Sequence, residues 1–172
     1  MASSDFERIF VALQAARVRY LVVGGVAVVL HGHLRFTADL DLVVQLERAN
    51  ILAAIDAFEQ LGYRPRPPVP ARAFADEAQR SAWVRSKGLT VFSLWSPELA
   101  GTEVDLFVEE PLPFDETYAR AVRVDLGSAV ATVVGLEDLI SLKRAAGRPK
   151  DADDLRALEA IARDRAEGRH DG

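Results

Sequence analysis

The stretch from Val22 to Val44 constrains the fold of this chain more than any other: an apolar run, the pair Gly24-Gly25, a short apolar segment ending at His31, and Asp39-Leu-Asp41-Leu-Val-Val. It reads as a strand, a glycine turn, one or two helical turns over 26–31 and a second strand. Side chains alternate along a strand, so Asp39 and Asp41 point one way while Leu40, Leu42 and Val44 point the other. Such a strand has an apolar underside for the core and two carboxylates side by side on the opposite face.

The rest of the chain bounds what this pair can serve. At 172 residues, with 49% hydrophobic and 27% charged residues, it is long enough to bury a substantial core. The reading is a single domain over 1–166, with the two closing helices (136–166) as a small appendage and 167–172 as a frayed tail. A net charge of -5 argues against a broad, sequence-indifferent nucleic-acid grip. The absence of cysteine removes disulfides, thiolate metal sites and cysteine nucleophiles. The first residues lack the basic start and apolar run of a signal peptide, and no apolar run is long enough to span a membrane, so the expected location is cytoplasmic.

Along the chain, residues 4–17 have helical spacing of Phe6, Ile9, Phe10 and Leu13 behind a Ser4/Glu7 capping box. Residues 18–23 are a β-branched strand. A second amphipathic helix spans 47–61, a proline-rich loop 65–70, and a helix containing Trp83 spans 73–86. Residues 89–95 and 102–108 are strands; in the second, Glu103, Asp105 and Phe107 share a face opposite Val104, Leu106 and Val108. Gly127-Ser128 joins a hairpin of 122–126 and 129–134, and helices over 136–146 and 150–166 close the chain across Gly147-Arg-Pro149.

Gly24-Gly25 taken alone reads as a simple tight turn; at the start of a helix it also lets backbone N–H groups approach a phosphate, and the downstream aspartates are what bring that reading in. Three carboxylates on two strands beside such a turn suit two-metal phosphoryl or nucleotidyl transfer. Mg²⁺ takes oxygen ligands from one or two carboxylates plus substrate phosphates, and a pair roughly 3.5–4 Å apart activates the attacking oxygen and neutralises the leaving group. Asp39 and Asp41 would bridge two ions, and Asp105 would hold the one beside the acceptor hydroxyl.

These residues resemble a known group. Gly24-Gly25-Val-Ala, His31-Gly32, Arg35-x-Thr37-x-Asp39-Leu-Asp41-Leu, Glu103-Val-Asp105-Leu, Leu139-Ile-x-x-Lys143 and Gly147-Arg-x-Lys-Asp151-x-x-Asp154-Leu are similar to motifs of the DNA polymerase β-like nucleotidyltransferase superfamily. Within it they resemble the minimal bacterial branch that includes the AbiE-type toxins of type IV toxin–antitoxin systems. The resemblance implies an α+β fold, a mixed sheet with helices packed on one side and two C-terminal helices. It also implies Mg²⁺ dependence and transfer of an NMP from an NTP to an acceptor, tRNA or another cellular target, with a cognate antitoxin as partner. Many members carry Gly-Ser where this chain has Gly24-Gly25, so a serine contact to phosphate is missing.

The resemblance further implies a triphosphate contact for Lys143, against the ordinary reading of an exposed helical lysine. Arg35 braces the metal strand or touches phosphate, and Thr37 supports the carboxylates by hydrogen bonding. His31 and His33 read as structural. Asp151, Asp153 and Asp154 read as helix-start charges, with an acceptor-side role as the alternative. Arg80, Arg85 and Lys87, and Arg144, Arg148 and Lys150, form local basic clusters. The competing readings are a small-molecule antibiotic nucleotidyltransferase, a non-catalytic nucleotide- or partner-binding module of the same fold, and a metal-dependent phosphohydrolase.

Overall fold

The computed structural model describes residues 4–168. Helix α1 (Asp5–Ala15) starts on the expected capping box: Glu7 N–H donates to Ser4 Oγ at 3.2 Å and Ser4 N–H to Glu7 Oε2 at 3.1 Å. It ends in a reversed turn in which Val18 N–H reaches the Leu13 carbonyl and Arg17, at φ 55°, occupies the left-handed position. Strand β1 (Tyr20–Val23) runs into α2 (Gly24–Leu30), and β2 (Asp39–Val44) follows an extended segment. Then come α3 (Arg48–Gln60), the two-residue β3 (Arg64–Pro65), α4 (Glu77–Lys87), β4 (Val91–Trp95), β5 (Glu103–Phe107), α5 (Phe114–Ala119), β6 (Val122–Asp125) and β7 (Val130–Val133). Helices α6 (Leu136–Ala146) and α7 (Ala152–Gly168) close the chain.

The strands form one mixed seven-stranded sheet in the order β3-β4-β5-β2-β1-β7-β6, with β2–β5 and β1–β7 parallel and the other pairs antiparallel. This is the α+β architecture expected, with the two closing helices in contact. Register explains where the core lies. Phe92 opposes Leu106, Leu106 opposes Leu42 and Leu42 opposes Val22, so these four form one apolar row across the sheet. Leu94, Val104 and Leu40 form the next row. Phe92 stacks against Phe74 and Trp83 at 5.2 and 5.3 Å, which places the helical segments after β3 over this face. Burying each such ring contributes about 2–3 kcal/mol of hydrophobic free energy.

Three local expectations change. The helix over 73–86 is two pieces, a 3-10 turn (Ala71–Ala75) and α4, because Asp76 is extended and its carboxylate accepts from Ala78 and Gln79 N–H as an N-cap. The proline loop lends Pro65 to the sheet as an edge residue, where a missing N–H costs no ladder bond. Helix α7 runs to Gly168, so Glu167 and Gly168 are helical, while 169–172 of the expected tail lie outside the described residues. Helix α5 answers to no sequence expectation. No helix among the described residues is long and apolar enough to cross a membrane.

Candidate active site

The register that builds the core also builds the opposite face. Asp41 is paired in parallel with Asp105, Asp39 with Glu103, and Ser93 antiparallel with Asp105, so Ser93, Asp105 and Asp41 form one transverse row. Ser93 Oγ donates to Asp105 Oδ1 at 2.5 Å and fixes that carboxylate. Ser93 is a site residue that sequence spacing does not single out, since only the strand register reveals its neighbour. Three carboxylates, Asp39, Asp41 and Asp105, are thereby gathered on two adjacent strands.

Crowding has an electrostatic signature. Burial, then the charges of Asp105 and Asp39, push the Asp41 carboxyl up to about 6, against a smaller opposing pull from Arg148 and Lys143. Asp105 is raised as well, by burial first and by Asp39 and Glu103, with the Ser93 hydrogen bond working against the rise. Among the described residues no three acidic or histidine groups converge into a ready-made metal cage. An all-oxygen set of like-charged carboxylates facing a hollow nevertheless fits a hard divalent cation that completes its shell with substrate phosphates.

The glycine turn is fitted to this row. Gly24 has φ 66°, and a Cβ there would lie 2.2 Å from Asp41 Oδ2, so only glycine lets the backbone pass the carboxylate. A Cβ on Gly25 would lie 2.6 Å from Arg35 Nη2 and 2.8 Å from Thr37 Oγ1. The volume that a side chain on residue 25 would take is filled here by Arg35 and Thr37. Arg35 and Thr37 thus point inward from the extended segment, while Leu34 and Phe36 alternate outward, 85% and 88% exposed. Thr37 Oγ1 donates to the Asp39 carbonyl at 3.4 Å rather than to a metal-facing carboxylate, which corrects the expected support.

Lys143 is no exposed helical lysine. It is 5% exposed, and its ammonium pairs with Asp151 Oδ1 at 2.9 Å and Asp154 Oδ2 at 3.0 Å. Arg35 Nε meets Asp154 Oδ1 at 3.0 Å and Arg148 Nε meets Asp151 Oδ2 at 2.6 Å. Burial alone would raise Asp151, but hydrogen bonds from Lys143 and Arg148 hold it below its usual range. Asp151 and Asp154 are therefore partners in a buried ion network that ties the Arg35 segment to α6 and α7, beyond the helix-start role expected. Asp153 is outside it, on the surface with Arg156. His31 is structural as expected: Nε2 is 2.7 Å from the Val134 carbonyl, and burial lowers its pKa. Arg80 leaves its expected basic cluster for the core, where Nη1 donates to the Phe74 carbonyl at 2.6 Å.

Two hollows meet at the carboxylates. One of about 610 Å³ is polar and lined by Gly24, Gly25, Arg35, Asp39, Arg148 and Lys150 among others. The other, about 470 Å³, opens over Asp41 and Asp105 but is walled by Val23, Val91, Phe107, Pro111, Leu139 and Leu142.

A family model described as a nucleotidyltransferase of unknown function (DUF6036) matches residues 5–164. The chain belongs to that nucleotidyltransferase family. A search of the curated proteins found no match. Among solved structures, the fold of this chain is similar to that of the lincosamide antibiotic adenylyltransferase LnuA bound to lincomycin, at 15% identity and TM-score 0.58 over 94% of this chain and 99% of that one. It is likewise similar to ANT(2")-Ia in complex with adenylyl-2"-tobramycin, at 15% identity and TM-score 0.58 over 96% and 95% of the two chains. A putative nucleotidyltransferase from Thermotoga maritima matches at 15% identity and TM-score 0.53 over 88% of each chain.

Proposed function

We propose that this protein is a Mg²⁺-dependent enzyme that moves an NMP from an NTP to a hydroxyl of an acceptor. The observation that carries the proposal is the parallel pairing of Asp41 with Asp105, with Asp39 two residues away on the same strand and Gly24 against Asp41. Asp39 and Asp41 are the residues that would hold both ions, and Asp105 the one nearest the acceptor. When bound, Mg²⁺ supplies positive charge to the triphosphate and lowers the pKa of the attacking hydroxyl. The chain's own residues supply position. Gly24 and Gly25 present backbone to the phosphates, with Arg35 and Thr37 packed behind Gly25. Ser93 fixes one oxygen of Asp105, leaving the carboxylate to take the acceptor's proton as its oxygen bonds to the α-phosphorus and the bond to pyrophosphate breaks. Arg148 and Lys150 border the polar hollow, where pyrophosphate departs. Lys143 spends two of its three N–H donors on Asp151 and Asp154, so it holds the network closed, and it borders both hollows with one donor left for a phosphate.

The finer reading is toxin-like action in the cytoplasm on tRNA or another cellular target, with a cognate antitoxin, by one domain whose helical end is tied in through Arg35–Asp154. A second reading, a small hydroxylated acceptor, is favoured by the apolar hollow over Asp105 and by the lincomycin and adenylyl-tobramycin held by two fold relatives. Incubation with each α-labelled NTP, Mg²⁺ and separate RNA, protein and small-molecule fractions tests both. Label in one fraction with pyrophosphate release, lost in Asp39→Ala, supports the proposal and selects the acceptor. Full activity in Asp39→Ala, or folded protein that turns over no NTP with any fraction, ends it.

A further inference from the structure

At the end of β1 remote from the carboxylates, three arginines gather around two tyrosines. Arg17, Arg19 and Arg123 line a hollow of about 430 Å³ together with Tyr20, Tyr118 and Gln14. The hollow takes in the N-terminal end of β1, whereas Gly24 follows its C-terminal end, so the length of the strand, about 13 Å, separates the two places.

The guanidinium carbons of Arg19 and Arg123 each lie 4.7 Å from the centroid of the Tyr118 ring. A guanidinium stacked through its flat face keeps its N–H edges for another partner. Arg19 has one carboxylate near it, the exposed Asp115 at 3.6 Å, beyond hydrogen-bond distance. Among the described residues neither Arg17 nor Arg123 is in an ion pair. In a chain of net charge -5, three cations held together beside one loosely placed carboxylate are a local reversal of sign. Like charges kept this close repel, and the repulsion is relieved when an anion enters.

Arg17 adds an independent observation. It stands at the left-handed position that ends α1, with φ 55°, where Val18 N–H bonds the Leu13 carbonyl and Arg17 N–H the Gln14 carbonyl. Glycine is the residue that fits this position without strain. An arginine there is kept against the backbone's preference, and its side chain lines the hollow.

We propose that this hollow is a phosphate-binding site, distinct from the reaction centre and independent of what that centre does. Phosphate is preferred over carboxylate because its tetrahedral oxygens, three outer ones in a terminal phosphate and two in a backbone diester, point in different directions toward arginines on different sides of the hollow, whereas a carboxylate offers two oxygens in one plane. The phosphate belongs either to a nucleic-acid backbone or to a free nucleotide.

The test compares wild type with Arg17→Gly and Arg123→Lys in Mg²⁺-free buffer, against a labelled single strand of about 12 nucleotides, AMP, pyrophosphate and poly-glutamate. Arg17→Gly raises the melting temperature and weakens phosphate-ligand binding roughly tenfold, a combination that a structural role for Arg17 does not produce. Arg123→Lys keeps the charge, loses the stacked fork and also weakens binding. If the source is nucleic acid, the strand shows the loss, and its log–log salt slope flattens by about 0.7 in Arg17→Gly. If the source is a free nucleotide, AMP or pyrophosphate loses one binding equivalent in both variants. Binding of every phosphate probe unchanged by both variants overturns the proposal, as does arginine-dependent binding of poly-glutamate alone.

Discussion

Asp41→Asn separates the folding cost of the carboxylate row from its function. The Asp41 carboxyl stands at about 6 in the folded protein against an ordinary 3.8. At about 1.4 kcal/mol per pKa unit this is about 3 kcal/mol of opposition to the charged form. Solvent reaches part of the side chain, and discounting for that leaves about 2 kcal/mol. The folded value lies above the unfolded one, so the folded state binds the proton more tightly. Its stability therefore falls as pH rises from about 4 through about 6, and the full cost is present above that. Asparagine removes the charge at similar volume. In metal-free protein at pH 8 the variant should melt higher by roughly 4–8 °C, since a protein of this size gains about 2–4 °C per kcal/mol. At pH 4 wild type and variant should nearly coincide. Scanning calorimetry in EDTA at both pH values measures this, and the same preparations are assayed for NTP-dependent labelling, which the variant should lack. A variant that melts lower than wild type at pH 8, or by the same difference at pH 4 and pH 8, refutes the crowding argument. One that transfers label at the wild-type rate refutes the metal role.

Other perturbations follow from the same geometry. Gly24→Ala should abolish labelling and lower the melting temperature, because the added Cβ meets Asp41 Oδ2 at 2.2 Å on a backbone at φ 66°. Lys143→Met should cost about 3–5 kcal/mol in denaturant unfolding, since it leaves buried Asp151 and Asp154 without their shared cation. If Lys143 served only as a phosphate ligand, the loss would appear in NTP affinity with stability unchanged. Phe36→Ala should leave the unfolding free energy within about half a kcal/mol of wild type, as its ring is 88% exposed. A large destabilisation would show that the outward face of the 33–38 segment is covered.

What the sequence shows of the site is set by how local each relation is. Asp39 and Asp41 are two residues apart, so strand alternation alone places them together, and the apolar residues between them declare the buried face. Asp105 is legible as a strand carboxylate, but its pairing with Asp41 depends on a parallel register more than sixty residues away. The Lys143 network crosses a loop, with Asp151 eight residues distant, and no periodicity predicts that a lysine on an amphipathic helix turns inward. The basic hollow is less legible still, because Arg123 joins Arg17 and Arg19 only once the far edge of the sheet has folded. Helix α5 is six residues with a single i,i+4 pair, Phe114 and Tyr118, too short for pattern to find.

The carboxylates near the site fall into two groups of opposite electrostatic character. Asp151 and Asp154 are met by Lys143, Arg148 and Arg35 at hydrogen-bonding distance, and Asp151 is held ionised below its usual range. Asp41 and Asp105 face each other across a strand pair, where the Ser93 hydroxyl donates to Asp105, and both are pushed toward the neutral form. Lys143 and Arg148 lie close enough to lower Asp41 yet direct their hydrogen bonds elsewhere. A fold seeking stability alone would turn those cations onto the crowded pair. Committing them to the network instead leaves a compact negative face beside a glycine turn, and a divalent cation carrying a triphosphate is the ligand that best offsets it.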